Sequence, residues 1–152
     1  MKEVLVFLSA MLPGTELRLS IPLAFALGMS PAEAFCYSFA GNMVPVSLLP
    51  VILEKATDWL RKFRVFDKVI GWLFTRIERH SGVIAKYGII GLVLFVAVPM
   101  PGTGGWAGCV AAFLMRMRYR TTVIAVSAGM AIAGVVVTLA CMSVIEIARI
   151  AV

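Results

Sequence analysis

The tripeptide Pro-Gly-Thr occurs twice in this chain, at residues 13–15 and 101–103, and each copy lies inside a long apolar stretch. Proline and glycine interrupt helices, and broken backbone is tolerated at membrane depth only where it is buried in protein or lines a water-filled cavity. The two breaks therefore argue against an inert anchor of straight helices. They favour a protein that uses irregular backbone inside the membrane, as transporters do.

The composition places the chain in a membrane. Hydrophobic residues make up 61% of the 152 residues, charged residues only 14%, and the mean hydropathy is +0.98. Soluble domains have about 45–50% apolar and about 25% charged residues. Because each crossing needs roughly 20 apolar residues, we expect a multi-pass protein with only a few spans.

The basic residues are concentrated between the apolar regions. The net charge is +6, and eight of the 14 Lys and Arg lie in residues 54–86, with three more at Arg116, Arg118 and Arg120. This distribution is typical of the cytoplasmic side of a protein in the cell membrane. It gives no reason to expect a nucleic-acid partner.

No motif indicates an enzyme, a metal site or a cofactor. The cysteines, Cys36, Cys109 and Cys141, are isolated in apolar sequence, so we expect buried thiols and no disulfide. There is no nucleophile elbow, zinc-binding His pair or phosphate-binding glycine loop. Any pumping would then draw on an ion gradient or on the gradient of the substrate.

Four apolar regions organise the chain. They cover residues 4–29, 32–53, 83–115 and 121–147, and the first and third contain the breaks. Ala24-Phe25-Ala26 resembles a signal-peptidase site. Because Pro13-Gly14, Glu16 and Arg18 interrupt the apolar stretch before it, we expect residues 1–29 to remain in the mature protein.

Residues 54–82 predict a basic amphipathic helix. Its large apolar side chains recur every three or four residues, and basic residues occupy much of the remaining surface. Such a helix fits the membrane interface. The alternative is a connecting helix that packs on its own bundle. The apolar residues are Trp59, Phe63, Phe66, Ile70, Leu73 and Ile77.

The two breaks belong to a repeat. Residues 11–29 align with residues 99–117 at an offset of 88, with identities at Pro-Gly-Thr, at Ala24-Phe25 and at Met29. Each copy is followed by a spanning region. This pattern predicts a duplication of one broken segment plus one span.

The charge distribution predicts that both broken segments are re-entrant. If residues 83–115 crossed the membrane, Arg116, Arg118 and Arg120 would lie opposite the basic residues 54–86. A segment that enters, turns and returns keeps them on one side. The predicted fold is an all-α integral membrane protein with inverted halves, 1–53 and 83–152. Each half is a re-entrant hairpin (4–29 or 83–115) followed by a transmembrane helix (32–53 or 121–147).

The breaks carry the candidate substrate site. Thr15 and Thr103 are placed to cap the two returning half-helices, whose N-termini would face mid-bilayer and suit an anion. The alternative is two kinked helices whose caps satisfy only themselves. The other candidates in the loops are Pro13 and Gly14 in the first, and Pro101, Gly102, Gly104, Gly105 and Trp106 in the second.

Charge distinguishes the two loops. Glu16 and Arg18 follow the first break, and ionisable groups in membrane segments are costly and commonly functional. Arg18 would hold an anionic headgroup, while Glu16 would pair with it, stabilise the helix start or carry a proton. The alternative is a shallow loop with both side chains in water. Asn42 would face the same cavity or make a hydrogen bond between helices.

Leu12-Pro13-Gly14-Thr15-Glu16-Leu17-Arg18-Leu19-Ser20-Ile21-Pro22, together with residues 99–108 (PMPGTGGWAG), resembles the putative small multidrug export protein family over nearly the whole chain. The resemblance implies drug export. The loop plan, with Glu16 and Arg18, is also similar to the DedA superfamily, which implies transport of polyprenyl phosphate or another anionic lipid. The second loop lacks the arginine that a DedA member would carry.

Three functions follow from these patterns. One is a small-molecule exporter in which Glu16 exchanges protons, and another is a flippase in which Arg18 binds a lipid phosphate. A third is a membrane-organising subunit whose residues 54–86 grip anionic lipid. Two spans make a thin wall for a pathway, so we expect a homodimer that contacts membrane lipids.

Overall fold

The computed structural model describes residues 1–60, 88–100 and 103–151, and these form helices joined by short turns, with no strand among them. The predicted all-α fold is thus confirmed for this part of the chain. Most of the predicted amphipathic helix and both Pro101 and Gly102 lie outside the described residues. The helices are α1 (Lys2–Met11), α2 (Glu16–Ala26), α3 (Pro31–Leu60), α4 (Ile89–Ala97), α5 (Gly105–Leu114) and α6 (Tyr119–Ala151).

Two of these helices are long and apolar enough to cross a membrane, over Pro31–Lys55 and Tyr119–Ile147. The other four have 9 to 11 residues, about half of a crossing. The predicted breaks in the first and third apolar regions are therefore confirmed. In both, the chain leaves the first short helix in extended backbone, at Leu12 and at Val98.

The helices pack in the same pattern in both halves. In the first half α1 and α2 pack on each other and on α3, and in the second α4 and α5 pack on each other and on α6. The halves then join, because α3 contacts α5, α2 contacts α6, and the two long helices contact each other. The main core lies at this junction and includes Leu17, Val46, Leu92, Val126 and Met130.

The same helix-ending turn closes α2 and α5. Each helix stops with a residue of positive φ, Gly28 at +71° and Arg116 at +54°. The amide of that residue and the next amide donate back to the preceding turn, the pattern of a Schellman motif. The bonds run from Gly28 to Phe25 and Met29 to Ala24, and from Arg116 to Phe113 and Met117 to Ala112. The Ala, Phe and Met identities of the repeat are therefore residues of this turn.

Glycines bring the short helices close to the long ones at equivalent positions. A Cβ at Gly41 of α3 would collide with the backbone carbonyl of Phe7, and one at Gly129 of α6 would lie 2.7 Å from the carbonyl oxygen of Val93. These glycines are 88 residues apart. Each lets a short helix lie against the backbone of its long partner.

Contacts between the halves are reciprocal. A Cβ at Gly134 would lie 3.0 Å from the Cδ2 atom of Leu17, and one at Gly105 would lie 2.9 Å from Cγ2 of Val46. Adding 88 converts Leu17 to Gly105 and Val46 to Gly134. The same contact is thus made twice, with the halves exchanged.

The prediction that all three cysteines are buried is wrong for Cys36. Cys109 is buried and Cys141 is partly buried, but Cys36 is exposed. It lies beside the exposed Tyr37 on the outer surface of α3, where a small apolar side chain faces away from the bundle.

The two helix-ending turns predict opposite effects of substitution. Gly28→Ala places a side chain at positive φ with no neighbour within 4 Å to support or oppose it, so the loss is conformational, about 1–2 kcal/mol of unfolding free energy. Arg116→Gly removes the same strain and should leave stability unchanged or higher. Unfolding of both variants in detergent measures the difference, and equal stability of Gly28→Ala and the parent would contradict this account of the turn.

Candidate functional site

Glu16 begins α2, but its side chain lies at the start of α5. Glu16 is 8% exposed, and its Oε1 accepts a hydrogen bond from the backbone amide of Trp106 at 3.4 Å. A Cβ at Gly104 would collide with this carboxylate, so only glycine allows the approach. A helix N-terminus has free amides and partial positive charge. Glu16 therefore supplies the negative charge at the end of a helix from the other half.

The backbone at Glu16 is strained. Its φ of +43° is in the left-handed region, which a residue with a Cβ occupies at a cost of about 1–2 kcal/mol. Gly14, two residues earlier, has φ of +108° and carries no such penalty. Non-glycine residues held in this region cluster at functional sites. The first break thus turns so sharply that Glu16 enters the junction between the halves.

Arg18 binds carbonyls at and just beyond the end of α4. Its Nη2 donates to the carbonyl oxygens of Val98 at 2.9 Å and Val96 at 3.2 Å and to Thr103 Oγ1 at 2.9 Å, while Nη1 donates to the carbonyl of Met100. The end of a helix has free carbonyls and partial negative charge. The guanidinium fork reaches several of them at once, as a lysine could not.

Trp106 makes the reverse contact. Its indole Nε1 donates to the carbonyl of Met11, the last residue of α1, at 3.3 Å. Trp106 is 88 residues after Arg18. Each half therefore sends one donor from its second short helix to the end of the first short helix in the other half. We call this arrangement, made by Glu16, Arg18 and Trp106, the cross-cap.

The predicted roles of Thr15 and Thr103 as N-terminal caps are wrong. Neither α2 nor α5 has a side-chain cap hydrogen bond. Both hydroxyls instead donate backwards to backbone carbonyls near the end of the preceding short helix, carbonyls that also accept backbone hydrogen bonds. Thr15 donates to Ser9 and to Leu12 (3.4 Å), and Thr103 donates to Val98 (2.8 Å) and Met100 (2.9 Å).

Asn42 lies where the halves meet. It is 1% exposed, and its Oδ1 is 3.3 Å from the position that a Cβ on Gly105 would take. Neither polar atom of its side chain has a hydrogen-bond partner within the described chain. Ser20 and Ser38, which sequence reasoning missed, are also fully buried without a partner. Their spacing of four residues from Glu16 and from Asn42 is the signal that could have revealed them.

The structure thus brings Glu16, Arg18, Asn42, Thr103 and the residues of 104–106 together. Thr15 lies in the first break and bonds within its own half. Pro13 and Gly14 are exposed in the first break, away from these contacts.

Two apolar clefts flank the breaks. One, of about 560 Å³, lies between α2 and α6 beside Pro99, and the other, of about 200 Å³, lies between α3 and Trp106 beside Met11. Their walls are equivalent at the offset of 88, which makes them counterparts of unequal size. The matched lining residues are Met11 and Pro99, Leu48 and Val136, Leu49 and Val137, and Ile52 and Ala140.

The model of a family described as "Putative small multi-drug export protein" matches residues 16–136, from Glu16 through most of the second long helix. No curated protein and no solved structure matches the chain.

The contact of Glu16 with Gly104 predicts a coupled effect. Gly104→Ala should lower the unfolding free energy by about 1–3 kcal/mol, because the added methyl displaces the carboxylate from the amides of α5. In a Glu16→Ala background the same change should have a much smaller effect. Unfolding of the four proteins of this double-mutant cycle measures the coupling. If Gly104→Ala lowers the unfolding free energy equally in both backgrounds, the Glu16 carboxylate does not contact Gly104.

Proposed function

The chain belongs to the putative small multi-drug export protein family, and on this premise we propose that it is a multi-pass membrane exporter that binds its substrate beside the two broken segments. The two apolar helices and the family membership indicate a membrane protein. The observation that carries the proposal is the pair of equivalent, unequal clefts on either side of the cross-cap.

The two halves are inverted in the membrane in this proposal. Reciprocal contacts, such as those of Leu17 with Gly134 and Val46 with Gly105, support a two-fold relation between them. Re-entrant hairpins at 4–29 and 83–115 keep residues 54–82 and the arginines at 116–120 on the cytoplasmic side of the cell membrane. An axis in the membrane plane then relates the halves, as in many secondary transporters.

The inversion of the halves determines the side of the membrane toward which each cleft opens. Equivalent clefts open toward opposite sides of the membrane, and one of about 560 Å³ falls in the range of roughly 300–1,000 Å³ typical of small-molecule sites. Its counterpart, of about 200 Å³, is below that range. An exchange of the two sizes would carry a ligand from one side to the other.

The substrate class is a lipophilic small molecule. The larger cleft is lined almost entirely by apolar atoms, from Pro22 and Phe25 of α2 to Val136 and Ala140 of α6. Arg18, Pro22 and Phe25 lie at i, i+4 and i+7 on α2, so the cleft runs along the helix toward the cross-cap. A polar group of the substrate would then lie near Arg18 and Pro99.

A flippase for polyprenyl phosphate or another anionic lipid is the second candidate. Arg18 supports it, because a guanidinium is a strong phosphate ligand. The carbonyls of Val96, Val98 and Met100 hold this side chain, however, and Glu16 occupies the N-terminus of α5. An anionic headgroup would have to displace these contacts, so the geometry favours the lipophilic substrate.

A transport assay with cleft variants tests the proposal. In proteoliposomes, Ala140→Trp should fill the larger cleft and lower export of a lipophilic cationic dye about tenfold. Val135→Trp is the matched control, because Val135 is exposed on the same helix and does not line the cleft. Equal rates for the two variants would contradict a binding role for the cleft.

The same liposomes distinguish the other candidates. Transport of a fluorescent lipid phosphate but not of the dye, with Arg18→Ala more damaging than Glu16→Gln, would establish the flippase. A membrane-organising subunit would tolerate both changes and lose activity on deletion of residues 54–82. Cross-linking in the liposomes tests the expected homodimer.

A further inference from the structure

A row of polar side chains is buried between α2 and α3. It consists of Glu16, Ser20, Ser38 and Asn42, which are 8%, 0%, 0% and 1% exposed. The hydroxyls of both serines and both polar atoms of Asn42 have no hydrogen-bond partner among the described residues. A buried polar group left without a partner costs about 1–3 kcal/mol, so three such side chains on one row call for a ligand.

Helix geometry places these residues at matching levels. The packed helices α2 and α3 form an antiparallel hairpin through the turn at 27–30. Positions equidistant from this turn are level with each other, which pairs Glu16 with Asn42 and Ser20 with Ser38. Within each helix the two residues are four apart and share a face.

The second half supports this pairing independently. The residues 88 positions after Ser20 and Ser38 are Gly108 and Val126. A Cβ at Gly108 would lie 3.2 Å from Cγ2 of Val126, so these counterparts face each other across α5 and α6. The serines occupy the same place in the first half.

We propose that this row holds a short file of water molecules that delivers protons to Glu16, which makes the proton the coupling ion of the proposed exporter. Water suits the row better than a metal cation. The unpartnered atoms include acceptors and the Nδ2 donor of Asn42, and water pairs with both kinds, whereas a cation would leave Nδ2 facing positive charge.

The proton step is a simple transfer. Hydronium at the end of the file gives its proton to a carboxylate oxygen of Glu16, leaving water and a neutral carboxylic acid, and the reverse transfer restores the carboxylate. The neutral acid no longer carries the charge that the N-terminus of α5 attracts. Protonation therefore weakens the cross-cap, which is the contact that must change if the clefts are to exchange sizes.

Few other charged or titratable groups face Glu16. Among the described residues, Arg18 is the charged neighbour on its own helix, and Cys109 of α5 is a titratable side chain that interacts electrostatically with Glu16. From α3 and α6 the neighbours at Gly105 are the neutral Asn42 and Met130. Helix α4 has no ionisable residue, and α1 has Lys2 and Glu3 only in its first turn.

The row is polar in one half only. The counterparts of its four members are Gly104, Gly108, Val126 and Met130, which cannot carry protons.

The test separates coupling from substrate transport. Proteoliposomes containing a trapped pH-sensitive dye report proton movement during export, while counterflow without a pH gradient reports substrate exchange alone. We expect Ser20→Ala with Ser38→Ala to lower gradient-driven export and proton movement about tenfold and to leave counterflow intact. Ser127→Ala, which changes a serine bonded to Met43 outside the row, is the matched control.

The outcomes are distinguishable. Absence of counterflow in the parent protein would overturn the proposed function itself. Intact counterflow with undiminished proton-driven export in the serine variants, or export driven by a sodium gradient instead, would overturn the proton file alone. If the double serine variant loses counterflow, Ser20→Ala and Ser38→Ala are measured separately. Proton-driven export is then compared with counterflow in each single variant that retains counterflow.

Discussion

The structure depends on how three of the four helix ends at the breaks are satisfied from the opposite half. Each break exposes the carbonyls of one helix and the amides of the next, and such groups are costly to bury without a partner. Arg18 and Glu16 of the first half meet the carbonyl and amide ends of the second break, and Trp106 of the second half meets the carbonyl end of the first. Each half therefore contributes hydrogen bonds to the break of the other.

These hydrogen bonds between the halves determine how the short helices pack against the long ones. The short helices must lie where their ends reach across the junction, which requires close packing against the long helices at Gly41 and Gly129. The clefts remain where the short helices part from the long ones, beside Met11 and Pro99. The strained φ at Glu16 is the local cost of bringing its carboxylate to α5.

Much of the fold could be predicted from sequence, because helix breaks, apolar length and the offset of 88 are local signals. The partners of Arg18 could not, because its carbonyls lie about 80 residues away and backbone groups leave no mark in a sequence. The bonds of the threonines could not be predicted either. A position after a break favours an N-terminal cap, but both hydroxyls bond to carbonyls on the preceding side of the break. In the sequence, the identities at Ala24, Phe25 and Met29 are weak evidence for a repeat, because Ala, Phe and Met are common in apolar segments. In the structure they are stronger evidence, because these residues and their counterparts form the turns that end α2 and α5.

Reciprocal packing requires that the two halves make the same contacts with their roles exchanged. Two cysteine pairs test this packing, Leu17→Cys with Gly134→Cys and Val46→Cys with Gly105→Cys, each in a chain whose Cys36, Cys109 and Cys141 are replaced by alanine. A short bifunctional thiol reagent should cross-link both pairs within one chain in the membrane, because each pair is in van der Waals contact. Cross-linking of only one pair, or cross-links only between chains, would contradict the reciprocal packing.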